Sequence, residues 1–164
     1  DTADARLDLR KDIPLDDSSS TLIFSEHFVE HLTYPEGVEK HFSECYRILD
    51  SQGSLSISVP DTEWPLRDYV NGGESYLKAE AENNWHDDDC TTFMEHINHH
   101  FRQRWRGFSY SHFENHRFAW DFETMVKKLK EVGFDSVEKR QYNPELDSPH
   151  RKIGSLFVIA KKSI

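Results

Sequence analysis

The chain has 164 residues, enough for one domain with a sizeable core. Its formal charge of −10 repels a phosphate backbone and excludes broad binding to duplex nucleic acid, while leaving room for a small basic pocket that takes an anionic substrate. An apolar fraction of 36% is low, but 11 Phe, 6 Tyr and 4 Trp restore the capacity to bury surface and exclude intrinsic disorder.

The first residues alternate: Ala5, Leu7 and Leu9 against Arg6, Asp8 and Arg10, the pattern of a short half-buried strand. A Pro-, Asp- and Ser-rich loop follows over 13–20. Thr21 to Ser25 is a continuous apolar run, suited to a central strand covered on both faces. Pro35 stands at the first position of a helix whose apolar stripe is Val38, Phe42, Cys45, Tyr46 and Leu49, with Gly53 as its left-handed cap. Leu55, Ile57 and Val59 alternate with serines in a further strand that stops at Pro60. Strand, helix and strand at this spacing form a βαβ crossover with parallel strands.

From residue 61 to 118 the rhythm breaks, and this stretch is expected to be an insertion, a cap over the strand ends. Asn71-Gly72-Gly73 marks a turn in it, and Phe93, Ile97 and Phe101 mark a helix. Asp121 is then a good N-cap for a helix carrying Phe122, Met125, Val126, Leu129 and Val132, closed by Gly133. Val137 lies in a short strand, and Ser155 to Lys161 is a second apolar run, the last strand, expected to be antiparallel. The fold class read from this order is α/β, a mostly parallel Rossmann-like sheet in a single domain over 1–164. Thr21–Ser25, Leu55–Val59 and Ser155–Lys161 are expected to be neighbours in it. A strand beginning within five residues of Asp1 makes the domain look incomplete at its amino end.

Cys45 and Cys90 have no partners at Cys-x-x-Cys spacing, so neither a disulfide framework nor a zinc ribbon is supported. No run approaches the roughly 20 apolar residues of a membrane span, and no signal peptide is visible. A cytoplasmic protein without a membrane partner is the expectation.

From Asp8 to Pro60 the sequence resembles the class I S-adenosylmethionine-dependent methyltransferases, especially small ones of the type-11 kind. The pieces that carry the resemblance are Leu7-Asp8-Leu9, Ile13-Pro14-Leu15, Ser25-Glu26-His27-Phe28-Val29-Glu30-His31-Leu32, Glu44-Cys45-Tyr46-Arg47-Ile48-Leu49 and Val59-Pro60-Asp61. In the tail, His116 to Asp121, Gly133-Phe134 and Ser155 to Lys161 are similar too. The resemblance implies S-adenosylmethionine as cofactor and methyl transfer to an oxygen or nitrogen of a small-molecule or saccharide acceptor. It also implies that Asp8 and Leu9 border the adenine, with Ser25, Glu26 and His27 beside the methyl-bearing sulfur. The family's G-x-G loop, which brings backbone N–H groups against the cofactor at a helix N-terminus, has no counterpart among the seven glycines. That gap keeps a second reading open: a non-catalytic binding or scaffold domain on the same fold.

His27 and Glu26 are candidate catalytic residues, able to orient or deprotonate an acceptor hydroxyl. His116, with His112, stands beside Tyr110, Phe113 and Trp120, a composition that suits an aromatic-walled substrate pocket. His27, Glu30 and His31, at i, i+3 and i+4, share one helical face and could ligate a divalent ion. The plainer expectation is that His31 packs, Glu30 favours the helix N-terminus, the three side chains do not converge, and no metal is bound. His96, His99 and His100 are expected at the surface.

Overall fold

The computed structural model describes residues 4–86, 90–102 and 115–163. Four strands make one sheet: β1 (Ser20–Glu26), β2 (Leu49–Pro60), β3 (Ser136–Lys139) and β4 (Ser155–Lys161), in the order β1-β2-β4-β3. β1 and β2 are parallel, and β4 is antiparallel to both its neighbours. Three strands therefore point one way and β4, between β2 and β3, points the other. The apolar runs at 21–25, 55–59 and 155–161 are adjacent in the sheet, as their patterns require.

Five helices are described: α1 (Glu36–Ile48), α2 (Glu63–Asn71), α3 (Ser75–Asn83), α4 (Phe93–Arg102) and α5 (Phe122–Val132). α1 and α5 pack on one another over the sheet. Phe42 and Cys45 from α1, Met125 and Leu129 from α5, Trp120, Phe134 and Ile57, Val59 and Val158 from the strands are all essentially inaccessible and form one core. The helical spacing of three and four is what puts these side chains on one stripe. None of the described helices is long and apolar enough to cross a membrane.

α5 carries both expected caps. Asp121 is extended, and its carboxylate accepts the Thr124 N–H at 2.8 Å. Gly133 closes the helix at φ 121°, with the Tyr46 ring 3.2 Å from where a Cβ would stand. Asp121→Ala should lower stability by about 1 kcal/mol, the usual worth of such a cap, read as a shift of the urea midpoint. An unchanged midpoint would mean that packing alone holds the first turn.

Several expectations need correction. Residues 5–9 are not a strand: Leu7 is half-exposed, and Lys11 N–H closes a turn on the Asp8 carbonyl at 2.9 Å. Alternation alone cannot hold a strand whose backbone groups have no pairing partner among the described residues. β1 is an edge strand, not a central one, and it leaves Leu22 and Phe24 44% and 38% exposed. α1 ends at Ile48 and runs straight into β2, so Gly53 caps nothing. The turn signal at Ser51-Gln52-Gly53 is used instead as an irregularity inside β2. Ser20 pairs with Leu49 and Leu22 with Ser54, and Gln52 takes the left-handed conformation at φ 75°.

Candidate active site

β1 and β2 both end at one edge of the sheet, where open α/β sheets bind their ligands. His27 leaves β1 in the left-handed region, at φ 46°, a conformation uncommon outside glycine that calls for support. The support comes from β2 and β4: the His27 N–H donates to the Ser58 carbonyl, and its Nε2 meets Ser155 Oγ, both at 2.8 Å. The turn throws the chain into a short 3-10 segment, Val29–His31, anchored by the fully buried Val29. The Glu30 carbonyl then accepts the N–H groups of Arg117 and Phe118, at 2.7 and 3.2 Å. Those two bonds bring His116 over the turn.

The Glu30 carboxyl is 1% exposed, and neither oxygen has a hydrogen-bond partner among the described residues. Oε1 lies 3.5 Å from His27 Nδ1, 3.8 Å from His31 Nε2 and 4.0 Å from His116 Nε2. Burial pushes the Glu30 carboxyl up to about 8. Burial, then the charge of Arg151, holds His27 down to about 2, and burial holds His116 down to about 4. At neutral pH the centre is thus a protonated acid among neutral imidazoles, not a set of ion pairs.

A second wall comes from α3 and α4. His100 Nε2 donates to the Asp61 carbonyl at 3.2 Å, which leaves Nδ1 to accept from the Tyr76 hydroxyl at 3.0 Å. Tyr76 in turn meets His86 Nε2 at 3.3 Å, and His86 Nδ1 meets His96 Nδ1 at 2.9 Å. The result is a continuous polar relay from His96 to the end of β2. Burial is the main cause that lowers His86 to about 3 and His100 to about 4. The third wall is the 3-10 segment Pro149–Arg151, which brings His150 and Arg151 to the rim. Between these walls is a cavity of about 310 Å³, lined by seven histidines with Glu30 and Arg151. Its size suits a small-molecule ligand.

Of the residues singled out in the sequence, His27 and His116 are brought together in this cavity. Glu26 is not: its carboxylate accepts the Ser148 N–H at 2.9 Å and the Ser148 hydroxyl at 2.5 Å. Ser25 is buried in β1, with no partner for its hydroxyl, and does not line the cavity. Asp8 is gripped by the Arg10 guanidinium at 2.7 and 2.8 Å, which holds its carboxyl down to about 2. Leu9 neighbours Asp8 away from the cavity lining. Trp120 is core rather than pocket wall; Tyr110, His112 and Phe113 lie outside the described residues.

Two expectations are overturned. Glu30 and His31 do converge, but with His116 from far along the chain rather than with His27, which approaches only Glu30. His99 is buried, and His100 sits inside the relay rather than at the surface. The spacing at 27, 30 and 31 was a usable signal; nothing in the sequence tied it to residues 86–116.

Residues 3–57 match the family model described as a methyltransferase domain. No curated protein matches the chain. Among solved structures, a S-adenosylmethionine-dependent methyltransferase from Methanosarcina mazei is 16% identical, with a TM-score of 0.55 over 96% of this chain and 66% of its own. A possible exported protein from Bordetella parapertussis is 14% identical, with a TM-score of 0.56 over 97% of this chain and 43% of its own. The CurJ carbon methyltransferase is 14% identical, at 0.51 over 96% and 34%. The chain thus spans two thirds or less of the length of these proteins. The chain is therefore similar to methyltransferase domains over residues 3–57, about a third of its length, and shares the fold of these solved structures.

Proposed function

We propose that this chain supplies the acceptor side of a methyltransferase that uses S-adenosylmethionine, and that the histidine-lined cavity holds an oxygen or nitrogen acceptor on a small molecule or saccharide. The observation that carries the reading is the position of the cavity, at the carboxyl ends of β1 and β2, with neutral imidazoles converging inside it. Asp8 and Leu9 do not form a cradle for the cofactor by themselves, because the Asp8 carboxylate is already occupied by Arg10. The chemistry that this chain's own residues supply is therefore on the acceptor.

A sulfonium methyl group is already activated, so alignment of the acceptor accounts for much of the rate. The relay through Tyr76 and His100 and the walls around Glu30 fix the shape of the cavity. His27, held by Ser155 and strained at its backbone, is placed to take the proton that an acceptor hydroxyl sheds as its oxygen is methylated, when that proton is acidic enough for so weakly basic an imidazole. His116, with Nδ1 spent on the His100 carbonyl at 2.9 Å, turns its Nε2 lone pair inward to receive a hydrogen bond. Arg151 makes no ion pair among the described residues and suits an acceptor that bears an acid group.

His27→Asn tests this in the full-length protein. Asn tolerates the left-handed backbone and cannot act as the base, so kcat for a hydroxyl acceptor should fall about a hundredfold, in the range of general-base effects, with KM little changed. A rate within twofold of wild type would remove His27 from the reaction. The occupied Asp8 favours one other reading, a scaffold domain, and complete absence of methyl transfer to any acceptor class would support it.

A further inference from the structure

We propose that Glu30, His31 and His116 form a binding site for one divalent transition-metal ion of the zinc class. Their ligating atoms, one from each side chain, lie within 4.8 Å of one another. The site lies in the cavity assigned to the acceptor, but it stands on separate observations and its test reads binding alone.

The first observation is the Glu30 carboxyl, buried to 1% exposure with both oxygens unpartnered. A buried polar group without a partner is costly, and native structures rarely leave one without cause. The second is the orientation of the two imidazoles. His31 Nδ1 faces the Asn115 carbonyl at 3.3 Å, and His116 Nδ1 faces the His100 carbonyl at 2.9 Å. A carbonyl only accepts, so in both rings Nδ1 carries the hydrogen and Nε2 is left with a bare lone pair. Both lone pairs are turned to Glu30 Oε1, at 3.8 and 4.0 Å. These distances are too long for hydrogen bonds. Protonated, the Glu30 carboxyl has one hydrogen and no acceptor within hydrogen-bond distance among the described residues; ionised, as a ligand, it leaves three acceptors facing one point.

A cation resolves that arrangement. Two ligands each about 2.1 Å from a tetrahedral zinc stand about 3.4 Å apart, so side-chain shifts of about half an ångström would close the set. Backbone carbonyls behind both rings are the usual outer partners of metal-bound histidine, fixing the tautomer and the ring angle. Two histidines and one carboxylate leave a coordination position open, and here it opens on the cavity. An ion there would polarise an acceptor oxygen and lower the pKa of its hydroxyl, leaving His27 to receive the proton.

A second group, His86, Cys90 and His96, is also close enough to ligate. Its two rings already meet each other through their Nδ1 atoms at 2.9 Å, so it serves as the control. Equilibrium dialysis of the metal-stripped full-length protein against zinc, followed by elemental analysis, should give one tightly held ion per chain. Glu30→Gln and His116→Ala should each weaken binding at least a hundredfold, and Cys90→Ser should leave it within threefold. Cobalt substitution should give visible absorption without thiolate charge transfer, a readout on the wild-type protein that does not depend on any variant folding. Failure to retain zinc would overturn the proposal and leave a bound water as the partner of Glu30. So would binding that survives Glu30→Gln and His116→Ala, is lost in Cys90→Ser, or shows a thiolate band.

Discussion

Acidification from pH 7 to pH 5, in the presence of a chelator, should cost this protein about 6 kcal/mol of folding stability. His27, His41, His86, His100 and His116 are all held well below their ordinary value of 6.5, chiefly by burial, at about 2, 4, 3, 4 and 4. A group whose pKa is depressed by folding contributes its full stability above the unfolded value and loses it as the pH falls. The window therefore opens at 6.5 and closes near 4 for His41, His100 and His116, near 3 for His86 and near 2 for His27. Over the interval from pH 7 to 5, each histidine costs about 1.8 kcal/mol. Glu30 acts in the opposite sense: its raised carboxyl, at about 8, is relieved on protonation and returns about 2.5 kcal/mol over the same interval. A net loss of this size approaches the whole stability of an ordinary domain. Urea midpoints at pH 7, 6 and 5 would show it directly. A midpoint constant to pH 5 would mean that the histidines are hydrated or charged in the folded state, and the description of the cavity as a ring of neutral imidazoles would be wrong.

Arg140→Ala should lower stability by about 3–5 kcal/mol, the cost of leaving a buried charge without its partner. The Asp147 side chain is fully inaccessible. Burial pushes its carboxyl up, but the two Arg140 hydrogen bonds, both 2.6 Å, and the Asn143 N–H at 2.7 Å more than offset that, and it is held below its usual value. Arg140 also donates to Ser56 Oγ at 2.9 Å, so one guanidinium ties the end of β3 to β2 and to the 141–148 loop. That loop feeds the 3-10 segment bearing His150 and Arg151. A thermal scan should show the drop, and loss of order should centre on residues 141–151 in hydrogen exchange. A variant as stable as wild type would show that Asp147 is readily hydrated.

The parts of the fold that were legible in the sequence are those where one local rule decides the outcome. The stripe of Phe122, Met125 and Leu129 between Asp121 and Gly133 contains a whole helix with both caps. The βαβ unit follows from alternation at Leu55, Ile57 and Val59 after the apolar spacing of α1. Where two rules competed, the reading failed. Gly53 is a helix terminator by type, yet the chain had already turned at Leu49 and used the glycine-bearing turn inside β2. Ala5, Leu7 and Leu9 alternate like a strand, but a strand needs a neighbour to pair with. The site shows the same limit more strongly. His27, Glu30 and His31 are adjacent by helical spacing, whereas His100, His116 and Arg151 reach them only because β1, β2 and β4 end at one edge of the sheet. That juxtaposition is a property of the topology, and local patterns do not contain it.

If the cavity at the ends of β1 and β2 holds the methyl acceptor, as proposed, the cofactor must present its methyl group there. The structure of the full-length protein bound to S-adenosylhomocysteine tests it most directly. The cofactor sulfur should open onto this cavity, on the side of His27 and His116, with nothing between them but the space for an acceptor. A sulfur that faces another edge of the sheet, or that is walled off from these histidines, would contradict it.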